Sequence, residues 1–208
     1  MGGIVLELQR EAMDKTTDVE SLLRRAFLIA KKLKLEKFED WIRNEQNGYE
    51  KNKIPNYRYV KGELKAWNPI RGWIPVVLNN NELEDTLTKV PMRTPISGII
   101  DLYNTECGTI TSSINAECNQ LLSDMCGFDA KYATHFGKNQ LYQIISTVKN
   151  NILEWSLILE ENKIIGEELT FTEEEKNIAQ KTQIINQYVN NFYSNVEDIS
   201  LQQGNVNE

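Results

Sequence analysis

A single histidine and three cysteines leave this 208-residue chain little of the usual material for metal or nucleophilic chemistry. His135 alone removes most zinc arrangements, makes any Ser-His or Cys-His catalysis depend on one residue, and reads as structural. Cys107, Cys118 and Cys126 are spaced by eleven and eight residues. That spacing suits neither a disulfide framework nor the close pairs of a zinc site, so they read as free thiols in a reducing compartment. Proline is scarce at five residues, which leaves room for helix. No apolar run approaches the roughly 20 residues of a membrane span. The start lacks a basic segment followed by a long apolar one, and Leu6 stands where a myristoylation signal wants Ser or Thr. The expected location is cytoplasmic.

Nucleotide and hydrolase signatures are also missing: no GxxxxGK[ST], GxGxxG, HExxH or GxSxG occurs. ATPase, dinucleotide, zincin and serine-hydrolase readings lose their usual support, and neither cofactor nor metal is expected. Thirty acidic against 23 basic residues give a net charge of −7, which opposes broad attraction to nucleic acid and disfavours it as a partner. Arg24, Arg25, Lys31, Lys32, Lys34 and Lys37 cluster, but read as the solvated side of a helix. Carboxylates are plentiful, so a metal-dependent nuclease with ligands scattered along the chain stays open as the alternative function.

What is present is periodic. Thr17-Asp-Val-Glu20 reads as a capping box. Behind it Val19, Leu22, Leu23, Ala26, Ala30 and Leu33 form one apolar stripe. Phe38, Trp41, Ile42 and Glu45 continue that spacing on a second helix, which Gly48 can end in the left-handed conformation. Residues 17–48 are therefore an expected helical hairpin. Glu45 lies on the apolar face of its helix, where a carboxylate is costly without a partner. It is either a site acid or half of a structural ion pair with Arg58, and the structural reading is preferred.

Residues 57–78 change to aromatic and β-branched residues around Asn68-Pro69 and Arg71-Gly72, predicting two or three short strands. Trp67 and Trp73 flank that turn. With Tyr57 they are the candidate binding residues; the two tryptophans could form a platform for a base or sugar, although clamping the hairpin onto the helices is their preferred role. Residues 79–140 are the least regular, with helices expected over 96–103 and 116–125, the latter ended by Gly127. Leu141, Ile144, Val148, Ile152, Trp155 and Leu159 mark the clearest helix. Ile145, Leu153, Leu157 and Ile158 give it further apolar positions, so burial on two sides and a homo-oligomer are expected. Gly166 supplies a stop, and Thr172-Glu-Glu-Glu175 a second capping box before a last helix to about Tyr193. The expected fold class is α+β, mainly α: a helical bundle with a small antiparallel hairpin or sheet inserted after the first helix pair. Residues 1–193 read as one domain, and 194–208 as a flexible tail or, through Ile199-x-Leu201, a strand for pairing with another chain.

Two dense motifs carry more. Trp41-x-x-x-Glu45-x-x-Gly48-Tyr49 runs on through Pro55, Tyr57, Arg58 and Gly62 to Trp73 and Pro75, and Trp155, Leu159 and Glu160 run on through Gly166 to Phe171, Glu174 and Glu175. The combination resembles the AbiTii domain of bacterial abortive-infection proteins, from about Leu6 to Ala179, more loosely between Asn79 and Gln140. The resemblance implies a phage-defence effector that arrests or kills the infected cell, acting with a protein encoded nearby or a phage component. It assigns no catalytic residues. Glu45 and Arg58 remain the catalytic candidates from the residues alone.

Overall fold

The computed structural model describes residues 2–50 and 54–193. The tail expected to be flexible or strand-forming, 194–208, lies outside the described residues. In chain order the helices and strands are α1 (Ile4–Met13), α2 (Val19–Leu33), α3 (Glu36–Asn47), β1 (Tyr59–Lys61), β2 (Glu63–Asn68), β3 (Gly72–Pro75), α4 (Asn81–Thr88) and β4 (Lys89–Pro91). There follow α5 (Ile96–Asn104), β5 (Thr109–Ser113), α6 (Ala116–Cys126), β6 (Tyr132–Gly137), α7 (Asn139–Glu161), α8 (Glu173–Lys181) and α9 (Gln183–Gln187). Short 3₁₀ turns occupy Asn56–Arg58 and Tyr188–Phe192. This is the mainly helical α+β architecture with a small antiparallel sheet that the sequence predicts. No described helix is long and apolar enough to cross a membrane.

The chain divides into two compact units. The first holds the described residues 2–50, 54–57, 93–99 and 144–193. Its α2 stripe is fully buried at Leu22, Leu23, Ala26, Ile29, Ala30 and Leu33. Phe38 of α3 stacks on Trp155 of α7 at 4.0 Å between ring centroids and tilts against Trp41 at 5.0 Å. Such aromatic burial, worth about 1.5–3 kcal/mol for each Phe-sized side chain, is the main cohesive term here. Leu157 of α7 is 42% exposed, so that helix is not covered on two sides within one copy.

The ends of these helices correct three expectations. The cap of α2 is Asp18, whose side chain accepts from the Ser21 amide at 2.8 Å, rather than Thr17. Aspartate sits one residue nearer the helix and its charge suits the N-terminal dipole. Gly48 closes α3 at φ 92°, ψ 163°, outside the left-handed helical well, because Tyr49 must donate its amide to the Arg93 carbonyl at 2.8 Å. A Cβ on Gly48 would lie 2.9 Å from that same carbonyl oxygen. α7 stops before Gly166: Lys163 takes φ 60°, and the amides of Lys163 and Ile164 bond back to the carbonyls of Glu160 and Leu159. That is a Schellman motif built without glycine, and Lys34 at φ 60° ends α2 in the same way. The Thr172 capping box forms as expected, with both reciprocal bonds present.

The second unit holds residues 58–92 and 100–143. β1 and β4 form a two-stranded ribbon, and four strands form an antiparallel sheet in the order β3-β2-β6-β5. The sheet draws two strands from the stretch that looks irregular in sequence. Leu64, Ala66 and Tyr132 point to one face and pack with Leu78 and Leu122, joined by Leu83 and Leu87 of α4 and Cys126 of α6. Because side chains alternate along a strand, Glu63, Lys65 and Trp67 occupy the other face. Gly62, between β1 and β2, is crowded by β6: a Cβ there would meet the Thr134 methyl at 2.5 Å and the His135 carbonyl at 2.6 Å.

Two measurements check these end structures. Replacing Lys163 by glycine relieves a left-handed residue and is expected to raise stability by up to about 1 kcal/mol, less the extra freedom of the unfolded chain, read as a higher Tm. Glu175 accepts from the amides of Ile165 and Gly166 on one oxygen and of Thr172 on the other. Burial raises its carboxyl, but the Gly166, Thr172 and Ile165 bonds prevail and hold it below the usual 4.5. A depressed carboxyl contributes stability above its unfolded value and loses it as pH falls through the folded one. The wild-type chain is therefore expected to lose stability below about pH 4.5 more steeply than Glu175→Gln, in denaturation curves collected across that range.

Candidate functional site

The sequence-predicted acid lies in the first unit. α3 carries Glu45 one helical turn beyond Trp41, on the face that also holds Phe38 and Ile42. Glu45 is 0% exposed. One of its oxygens, Oε1, accepts from the Tyr49 hydroxyl at 2.6 Å and from the Tyr57 hydroxyl at 2.6 Å, while Trp41 Nε1 donates to the Tyr57 oxygen at 2.8 Å. Burial, and next the Glu45 charge, push the Tyr49 hydroxyl far above the usual phenol range, and the same two causes raise Tyr193. Tyr49 is therefore fixed as a neutral donor to Glu45. Phe192, from the last 3₁₀ turn, closes the cluster against Trp41 at 5.0 Å and Tyr57 at 6.2 Å. Such a cluster stabilises a charge; it does not generate a nucleophile.

Arg58, the other catalytic candidate, opens the second unit and is 0% exposed. Its side chain donates to the Met92 carbonyl at 3.2 Å, and its own carbonyl accepts from the Met92 amide at 2.8 Å. Both bonds fix the start of the β1–β4 ribbon. Tyr49 stands in the sequence only as the last residue of the first motif; its role appears where the chain leaves α3 through Gly48 and turns its hydroxyl onto Glu45.

The candidate binding tryptophans meet in the second unit. Trp67 of β2 pairs directly with Trp73 of β3, rings edge to face at 5.4 Å, and Trp73 meets His135 of β6 edge to face at 4.7 Å. They lie on the face opposite α4 and α6, so they do not clamp the hairpin onto those helices. Trp67 stays 46% exposed. His135, which reads as structural in sequence, is 9% exposed, and its buried Nε2 has no hydrogen-bond partner. Burial, then the Lys65 charge, lower its pKa, with Glu63 opposing, so the ring is neutral at neutral pH. Among the described residues no group of three or more His, Cys, Asp or Glu side chains is gathered as a metal site.

The phenol cluster makes a direct prediction. Tyr49→Phe removes a donor from a carboxylate that water cannot reach, and is expected to cost about 1.5–3 kcal/mol. At about 2–4 °C per kcal/mol for a chain of this size, the melting temperature falls by several degrees. Tyr57→Phe costs less, because Tyr57 is only half-buried and water can supply the missing bond.

Comparison with known proteins agrees with the motif pattern. No curated protein and no solved structure matches the chain significantly. The AbiTii family profile matches residues 3–184, spanning both units and the motifs around Trp41, Glu45, Trp73 and Trp155. The chain belongs to the AbiTii family.

Proposed function

We propose that this protein is an abortive-infection effector that arrests or kills the phage-infected cell by binding and assembling with a partner. The family supplies the role, antiviral defence. The observation that carries the mechanism is Glu45: at 0% exposure, with two phenols on one oxygen, it reaches no substrate without unpacking α3. A carboxylate held in this way serves the fold, and the surface is left to do the work. The partner is a protein encoded nearby, a phage component, or a second copy of the chain, met in the cytoplasm. α7 suits the last of these, since Leu157 is 42% exposed roughly opposite the buried Trp155 on a helix of 100° per residue.

Inducible expression in bacteria, with and without phage, tests this reading. Folded Glu45→Gln and Arg58→Ala variants are expected to keep their effect on growth, while Leu157→Glu loses it and shifts toward monomer in light scattering. An effect abolished by folded Glu45→Gln, together with nucleic acid cleavage by the purified wild-type protein, would replace this reading with the nuclease.

A further inference from the structure

Within the second unit, the sheet face opposite α4 and α6 is open to solvent at Trp67, Thr109, Thr111 and Ser113. Three ring systems lie in sequence across it. Trp67 of β2 meets Trp73 of β3 at 5.4 Å, and the Trp73 ring reaches across β2 to meet His135 of β6 at 4.7 Å. A row of this kind is not needed for a core, since the helices pack on the other side. Beside His135 the surface sinks into a polar pocket of about 290 Å³, lined by Lys61, Lys65, Thr109, His135 and Gln140 among others.

Acidic residues of this unit concentrate on its helices, and Asp85 of α4 holds the ammonium of Lys61 at 2.9 Å. Glu82, Glu84 and Asp85 lie on α4 and Glu117 and Asp124 on α6, the helices of the inner face. The sheet strands carry one acidic residue, Glu63, whose carboxylate pairs with Lys65 at 3.2 Å. Arg71 in the β2–β3 turn and Lys131 just before β6 are exposed, and the Lys131 carbonyl accepts from the Trp67 amide at 2.8 Å. Positive side chains thus border the tryptophans, although the whole chain is acidic.

We propose that this face binds nucleobases, with one base stacked on Trp67 and its sugar-phosphate running past Trp73 toward Lys65 and the pocket beside His135. Stacking on an exposed indole tolerates any base, because every base has a π-face. Lys65 exchanges the Glu63 carboxylate for a phosphate. The unpartnered His135 Nε2 supplies the missing polar contact, and a neutral ring offers one donor and one acceptor, which suits a sugar hydroxyl. Antiparallel four-stranded sheets with aromatic residues on an open face are a general solution for holding unstacked bases. The ligand is a single strand of nucleic acid. The inference goes beyond the assembly reading above and does not depend on it.

Fluorescence anisotropy of the full chain with labelled single-stranded RNA and DNA of about 12 nucleotides, alongside calorimetry with AMP and ATP, tests the proposal. Binding is expected at low salt. Trp67→Ala should weaken it about 5- to 150-fold, the range that base–aromatic stacking covers. Trp67→Phe should retain most of it, and Lys65→Ala should lower the salt slope by about one. Binding of oligonucleotides with no comparable binding of AMP or ATP supports a strand as the ligand; binding of the free nucleotides as tight as that of the oligonucleotides overturns it. The proposal is overturned if the folded wild-type protein binds neither class at low salt. It is equally overturned if binding is unchanged in folded Trp67→Ala and Lys65→Ala.

Discussion

Burying the Glu45 carboxylate costs several kcal/mol unless donors replace the lost water, and the first unit is arranged to supply them. Tyr49 reaches it from just beyond the same helix and Tyr57 from the segment leading to the sheet. Trp41 orients Tyr57, and Phe192 shuts the aromatic wall. Each donor is itself held by packing, so the charge and the core fix one another: the rings exclude water, and the excluded water makes the phenol bonds strong. Gly48 belongs to the same device. Its φ of 92° lets the chain leave α3 close enough to residue 93 for Tyr49 to bond there and still point its hydroxyl at Glu45.

The second unit works on a different principle. Its sheet has one greasy face under α4 and α6 and one face of mixed aromatic and polar character. Strand alternation decides which residue goes where, and a shift of register by one would exchange the two sets entirely. Gly62 guards that register by letting β6 approach the β1–β2 junction within distances no side chain would permit. The tryptophan pair and His135 then lie together because Trp73, paired with Trp67, reaches across β2 to His135, which pairs with Glu63. Local sequence joins only the first two.

Much of this was legible along the chain. The stripes of α2 and α7, the Thr172 box and the Gly127 cap follow from spacing and from residue types whose preferences are strong. Lys34 and Lys163 hide the ends of α2 and α7, because a lysine in the left-handed conformation gives no signal that a glycine would. β5 and β6 hide for a related reason. Thr109–Ser113 is mostly polar and carries one large apolar residue, and Tyr132–Gly137 is buried on both faces, so neither shows clean alternation. Of the candidate site, Glu45, Arg58, Trp67 and Trp73 were visible as odd or aromatic residues in dense motifs. Tyr49 and His135 were visible only as residues, without the role their neighbours impose.

Periodicity, caps and motif spacing alone thus determined the α2–α3 hairpin, α5, α6, α7 and the start of α8, the mainly helical class and the AbiTii family, because these depend on residues near one another in the chain; α1 and α4 went unread, and the last helix expected to about Tyr193 breaks at Thr182. Which side chains share a site was decided by tertiary structure. Glu45 is a buried anchor because hydroxyls from 49 and 57 converge on it, and Trp67 is an open surface because the helices of its unit cover the opposite face. Both outcomes turn on which groups exclude water from which others. That is a property of the packed chain, and residue order does not display it.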